Sequence, residues 1–305
     1  MKNKFIILLA YLNKVAGFLG FKLIRIRELR QYYPDKHKSH HPRIILNKNF
    51  NKSFLLSVPA RLGLTSRWFD LSQDTLDPRV AVLKVALDRN LKQDNLHNFL
   101  CQNFEIQSKL ISPSNAAEMV GINIEEESNL FSFPHWAIVL PWHEEDIKSK
   151  ENNFPKSVKN DRLKNGFKIY SNDSNEIMKI NHLESHESHA KQYIKLIDSI
   201  NKKGFLNDAN YGHISAFILL EGENWRWIVG SEGNHRVELA TAMGYDKFDI
   251  LVEGIIRKED SKWWPNVCNG LYSIDQAEAI FDDIFHAKPS YIYSVWCSYF
   301  INNLK

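Results

Sequence analysis

The first rhythm along the 305-residue chain is an apolar run at 5–12, which follows Lys2 and Lys4 and continues through Asn13 and Lys14 into a second run at 18–21. No small-x-small cleavage site follows it, and it is far shorter than the roughly 20 apolar residues a bilayer crossing needs. The pattern predicts an amphipathic or buried helix over 3–19. Residues 22–28 alternate apolar and charged side chains in part, which predicts a strand with one wet face. Residues 31–53, with His37, His40, His41 and Pro42, read as a polar loop. Helical spacing then covers 79–104. Ser114 is placed to cap a short helix through Met119 that stops at Gly121.

The second half of the chain switches rhythm more sharply. Residues 137–140, Ala-Ile-Val-Leu, read as a buried strand or extended piece, and the charged, Asn-rich stretch 147–165 reads as an exposed helix or linker. Residues 176–183 are expected as a strand, followed by a helix over 190–203 ending at Gly204. Two apolar strands, 214–220 and 225–229, flank a turn at 221–224. A loop at 230–236 feeds a helix over 237–243, Gly244 stops it, and a last strand covers 248–252. The fold class that follows is α+β. A small mixed sheet with helices is preceded by a mostly helical N-terminal region and followed by a helical, aromatic-rich tail. In segments, the expectation is a basic N-terminal region over 1–130, a connection over 131–175, the sheet-bearing unit over 176–253 and the tail over 254–305.

Composition sharpens this picture in two places. The chain is 44% hydrophobic and 25% charged, proportions of a globular protein rather than a disordered or fibrous one. Its three cysteines, Cys101, Cys268 and Cys297, are far apart and form no CxxC. That argues against a disulfide framework or a four-ligand zinc site and fits a reducing compartment. The net charge of +3 hides an asymmetry. Residues 1–67 hold 14 Lys and Arg against Glu28 and Asp35, whereas the remainder carries 25 basic and 34 acidic groups. A basic segment on an acidic body points to an anionic partner, whether membrane headgroups, nucleic acid or a phosphorylated ligand, and beside the apolar first helix it predicts a cytoplasmic protein with, at most, peripheral, salt-sensitive attachment to the inner membrane face.

The candidate chemistry lies at 231–236, Ser-Glu-Gly-Asn-His-Arg. Gly233 allows positive φ or close backbone approach. The helix that follows offers unpaired N–H groups to an anion, and His235 and Arg236 add a switchable donor and a bidentate fork. Upstream, His182, His186 and His189 recur at i, i+4 and i+7. They would share a face only on a continuous helix, and the expected strand end at 183 breaks that spacing. The aromatic tail, including Trp263, Trp264, Phe281 and Trp296, is expected to pack as a helical layer.

With the helix at 196–204, Leu-Ile-Asp-Ser-Ile-Asn-Lys-Lys-Gly, the strand pair, the loop at 232–236 and the helix end Ala242-Met-Gly244 together, residues 176–253 resemble the ParB/sulfiredoxin superfamily. Sulfiredoxins use a loop cysteine, and this loop has Asn234. Partition-type ParB proteins bind CTP through a Gly-x-Arg-Arg loop and carry a helix-turn-helix afterwards. About 50 residues follow here without a clear helix-turn-helix, which argues against sequence-specific nucleic-acid binding. The ParB-like small-molecule kinases, of the free-serine type, have a His-Glu pair and an Asp-Gly-His-His-Arg loop. His186-Glu187 and 232–236 are similar, with Glu232 and Asn234 as departures. This resemblance implies a phosphotransferase moving a phosphoryl group from a nucleotide to a hydroxyl of a small molecule or glycan. Gly233, Asn234, His235 and Arg236 would hold the phosphates of ATP, ADP or CTP, Glu187 would accept the hydroxyl proton, and Glu232 would reach Mg²⁺. A nucleotide hydrolase, or a non-catalytic nucleotide-binding or DNA-associated ParB-type module, is the alternative. Glu187 discriminates, because an enzyme needs it facing the loop.

Overall fold

The computed structural model describes residues 36–38, 54–123, 127–164, 172–205 and 213–305, with the backbone alone at 36–38, 161, 164 and 179–185. The helix expected at 3–19 and the strand expected at 22–28 lie outside the described residues. The described chain is α+β, built on a six-stranded mixed sheet. Its strands are β1 Lys36–Lys38, β2 Phe54–Pro59, β3 Gly63–Leu64, β4 Ile214–Glu221, β5 Asn224–Val229 and β6 Lys247–Arg257, in the order β1-β2-β6-β4-β5-β3. The helices are α1 Pro78–Asp88, α2 Gln93–Leu110, α3 Ile147–Lys164, α4 Ser174–Lys203, α5 Asn234–Ala242, α6 Ile274–Phe285 and α7 Ser294–Asn303.

β4 is the most completely buried of the longer described strands, and its run of Ile, Ala, Phe, Ile and Leu reads without alternation because both faces are covered. It runs parallel to β6 and antiparallel to β5, and the β4–β5 hairpin turns at Gly222 with φ 56°. Alternate residues go to opposite layers. Ile218 and Trp227 pack with Val237 and Ala240 of α5, whereas Leu219 and Ile228 pack with Phe281 and Ile284 of α6. Outside α5 lies a helical layer in which Leu83, Phe104, Tyr193, Leu239 and Trp296 are buried together.

Several local expectations change. Lys36–Lys38 form a strand parallel to β2, with His37 opposite Leu56, rather than part of a loop. β2 itself was not anticipated. Its alternation buries Phe54, Leu56 and Val58 against β6, so the N-terminal half contributes to the sheet. The helical stretch at 79–104 is two helices, because Asn90 takes a left-handed φ of 50° and reverses the chain between α1 and α2. Asn115, not Ser114, caps the helix Ala116–Met119, its side chain accepting the Glu118 N–H at 3.1 Å, and Gly121 stops it with φ 80°. Residues 137–140 form no strand. The carbonyls of Val139 and Leu140 accept from the Tyr272 hydroxyl at 2.5 Å and Asn266 Nδ2 at 3.0 Å, so side chains do the work of a partner strand.

The largest correction is at 176–183, which is helix. Asp173 caps α4 by accepting the Glu176 N–H at 2.9 Å, and the helix runs unbroken to Gly204, whose φ of 75° ends it. Ile177 is buried and its neighbour Met178 packs on the core, whereas a strand would send them to opposite faces. The spacing of His182, His186 and His189 is therefore continuous along one helix, although the side chain of His182 lies outside the described residues. Among the described residues no helix is long and apolar enough to cross a membrane. In the tail, Trp264, Phe281 and Trp296 pack inside as expected, and Trp263 remains 69% exposed.

Candidate functional site

The loop leaves β5 at Val229 and enters α5 at Asn234. It is tied to the first residues of β4: Ser215 N–H donates to the Glu232 carbonyl at 3.0 Å, Glu232 N–H donates to Ser215 Oγ at 2.9 Å, and Gly230 N–H donates to the Ser215 carbonyl at 2.8 Å. Gly233 is the N-cap, with φ 92°, and a Cβ there would sit 2.9 Å from Ile214 Cα. Only glycine meets both demands, and this is the close approach that the sequence anticipated. No side chain caps α5. Its first N–H groups and positive dipole end are thus available to an anion. Asn234 Nδ2 braces the loop by donating to the Gly230 carbonyl at 3.0 Å, and Arg236 Nη2 donates to the His213 carbonyl at 3.0 Å.

Glu232 is exposed at the loop. Opposite it stands Glu253, which sequence reasoning missed. Ala216 pairs with Val252 and Phe217 with Gly254, so Glu253 is the extra residue of a β-bulge, a device that re-aims a side chain. Its Oε2 would lie 3.3 Å from a Cβ on Gly230, and it is hydrogen-bonded to Ser215. Burial and the neighbouring Glu232 push its carboxyl above the usual range. The signal was present as Gly254 inside a strand pattern. Two carboxylates beside one loop are the donors that Mg²⁺, which takes one or two carboxylates and otherwise phosphate and water oxygens, would use, and Glu232 and Glu253 are the residues that would hold it. Among the described residues no group of three metal-ligating side chains forms.

His235 turns away from the loop toward α4. Its ring centroid lies 5.2 Å from that of His189 and 5.1 Å, edge-on, from that of Tyr193. Behind them is a buried polar network. Arg67 Nε donates to Asp77 Oδ2 at 2.9 Å and its Nη2 donates to Asp77 Oδ1 at 3.0 Å and also to Glu238 Oε1. The Tyr193 hydroxyl donates to Glu238 Oε2. Asp77 also caps α1, accepting the N–H groups of Arg79 at 2.9 Å and Val80 at 3.1 Å. Burial opposes ionisation of Glu238, yet Arg67 and the Tyr193 hydrogen bond hold its carboxyl below the usual range. Burial, with Arg79 and His235, pulls His189 down to about 3. Burial also lowers His235, against the pull of Glu238. Glu238 was legible in principle, as one charged residue within the otherwise apolar turn at 237–240.

Glu187 does not join this constellation. Its side chain is 64% exposed and pairs with Lys191 at 3.4 Å on the outer side of α4, two residues before the face that carries His189 and Tyr193. The loop thus brings together Gly233, Asn234 and Arg236 with Glu232 at one edge, sends the ring of His235 toward α4 instead, and leaves Glu187 apart.

Together these features define an α+β protein with a glycine-hinged loop opening an uncapped helix at the edge of a buried ionic network. Comparison of the chain with protein-family models, curated proteins and solved structures finds no match.

Proposed function

We propose that the protein binds a nucleotide through its phosphates at 230–236, on a ParB/sulfiredoxin-like plan, and transfers a phosphoryl group to a hydroxyl of a small molecule or glycan. One observation carries the reading. The N-terminus of α5 is uncapped, hinged on a glycine that the Ile214 backbone will not let be anything else, and flanked by Arg236 and two carboxylates. That is the arrangement phosphate oxygens and their Mg²⁺ require. Phosphoryl transfer asks the protein chiefly for positioning and charge, and the loop supplies both. The backbone N–H groups of α5 hold phosphate oxygens, Arg236 neutralises charge, and Glu232 and Glu253 face the Mg²⁺ carried by ATP, ADP or CTP.

The outward position of Glu187 favours a second reading, in which the loop binds nucleotide without turnover. Calorimetry with ATP, ADP, CTP and GTP in Mg²⁺, followed by product analysis, tests both. Arg236→Ala is expected to lose nucleotide binding while keeping the wild-type fold, and unchanged affinity would sink the loop assignment. Glu187→Gln is expected to keep binding. Lost turnover in that variant would make Glu187 the proton acceptor, and equal turnover would remove it from the mechanism.

A further inference from the structure

A cavity of about 580 Å³ lies away from the loop, between the segment 131–136 and the starts of α3 and α4. Part of its wall is aromatic. Phe131 and Phe133 are half-buried, Trp136 is buried, and all three pack in one core cluster. Backbone hydrogen bonds fix that wall: the Phe133 carbonyl accepts the Ala116 N–H at 3.0 Å, and the Pro134 carbonyl accepts the Ala137 N–H at 2.9 Å. The other lining groups are hydrophilic and almost all neutral. They come from residues 114–115, from Asn152 of α3 and from Ser174 and Asn175 of α4. Among the described residues that line the cavity, six are serine or asparagine, one, Glu151, is a carboxylate, and none is basic. These groups keep capacity for further hydrogen bonds. Asn152 Nδ2 donates to the Lys148 carbonyl at 2.9 Å, which leaves its amide oxygen as an acceptor. Asn115 accepts the Glu118 N–H at 3.1 Å and gives one amide hydrogen to Glu118 Oε1 at 3.3 Å, which leaves the other.

We infer that this cavity is a binding site for a neutral saccharide. A sugar ring presents a face of C–H bonds and an edge of hydroxyls. The cavity supplies a partner for each: aromatic rings for the face, and hydroxyl, amide and carboxylate groups for the edge. A lining with no basic residue gives phosphates and other anions nothing to pair with. The volume suits a small organic ligand and far exceeds what a single ammonium group fills. Because the aromatic wall is already packed on the core, little of it must be ordered on binding. The site is separate from the loop at 230–236. Ser174 precedes His189 by fifteen residues, about 22 Å along α4 at the helical rise, and His189 is the α4 residue beside His235. The sugar held here is therefore recognised rather than phosphorylated, and the inference stands independently of the nucleotide reading.

The full chain is screened on a printed array of neutral mono- and oligosaccharides. Retained sugars are then titrated by calorimetry, with glycerol as the polyol control and choline chloride as the cation control. The wild type is expected to retain at least one neutral saccharide, to bind it saturably and to ignore both controls. Proton NMR of the bound sugar should show the C–H protons of one face shifted upfield by aromatic ring currents. Phe133→Ala is expected to weaken binding about tenfold. Phe133 also packs on the core, so two exposed positions keep the test clear of misfolding. Asn152→Ala and Asn175→Ala should melt as the wild type does, and each should weaken binding about three- to tenfold, the effect of one neutral hydrogen bond. Glu151→Gln keeps the shape and removes the charge, and should weaken binding about tenfold. Arg236→Ala, in the loop, should bind the sugar as the wild type does. Retention of no saccharide above the glycerol control overturns the site, as does retention of choline alone. Unchanged saccharide affinity in both asparagine variants overturns it too. Failure of nucleotide binding with saccharide binding intact overturns only the loop reading, and the converse result overturns only the saccharide site.

Discussion

Replacing Gly233 with alanine is the sharpest probe of the loop, because the added methyl meets two separable penalties. The first is conformational. Gly233 has φ 92°, where an L side chain costs roughly 1–2 kcal/mol. The second is steric. The new Cβ would stand 2.9 Å from both Cα and Cγ1 of Ile214, the fully buried first residue of β4, and that backbone cannot yield. Forcing a methylene into such a contact costs about 1–3 kcal/mol. The sum predicts a loss of about 2–5 kcal/mol if the loop keeps its shape, or a smaller loss with a displaced loop and no nucleotide binding. Gly222→Ala is the matched control: its φ is 56°, but nothing lies within 4 Å of its added Cβ, so only the conformational penalty of about 1–2 kcal/mol applies. Urea denaturation of the two variants isolates the contact by difference, and nucleotide titration reports the loop. Equal destabilisation of the two, with nucleotide binding intact in Gly233→Ala, would refute the argument that the β4 backbone moulds the loop.

Glu238→Ala, which strands Arg67 and the Tyr193 hydroxyl beside a void, should cost about 3–5 kcal/mol in urea denaturation, the range for breaking a buried ion pair. Glu238 has a folded pKa below its ordinary value of 4.5, so its stabilising effect is complete above that value and is lost as pH falls through the lower folded one. Acid titration of the wild type should show that loss, and the variant should lack it. The basic segment at 1–67 should bring the chain down with anionic vesicles at low salt and release it at high salt, each basic group near the surface contributing about 1 kcal/mol. Absence of binding at low salt would make that segment a docking surface for an acidic partner instead.

The loop at 230–236 could be read from the chain because its constraints are local. Gly233 needs only its own backbone and the next helix to declare a turn and an N-terminus, and the strands at 214–220 and 225–229 announce themselves by unbroken apolar runs between turn residues. Patterning also established the α+β class. What patterning could not decide was anything that depends on a partner distant in sequence. Residues 137–140 look like a strand, but side chains of Asn266 and Tyr272 take up their carbonyls. Residues 176–183 alternate enough to suggest a strand, yet a cap at Asp173 and the burial of Ile177 make them helix. The bulge that turns Glu253 toward the loop exists only because β6 pairs with β4 one residue out of step. Arg67, Asp77, Arg79 and Glu238 belong to segments more than 150 residues apart and carry no shared spacing. Only packing α5 between the sheet and the outer helices desolvates them together, and in that low-dielectric setting their pairing acquires chemical meaning.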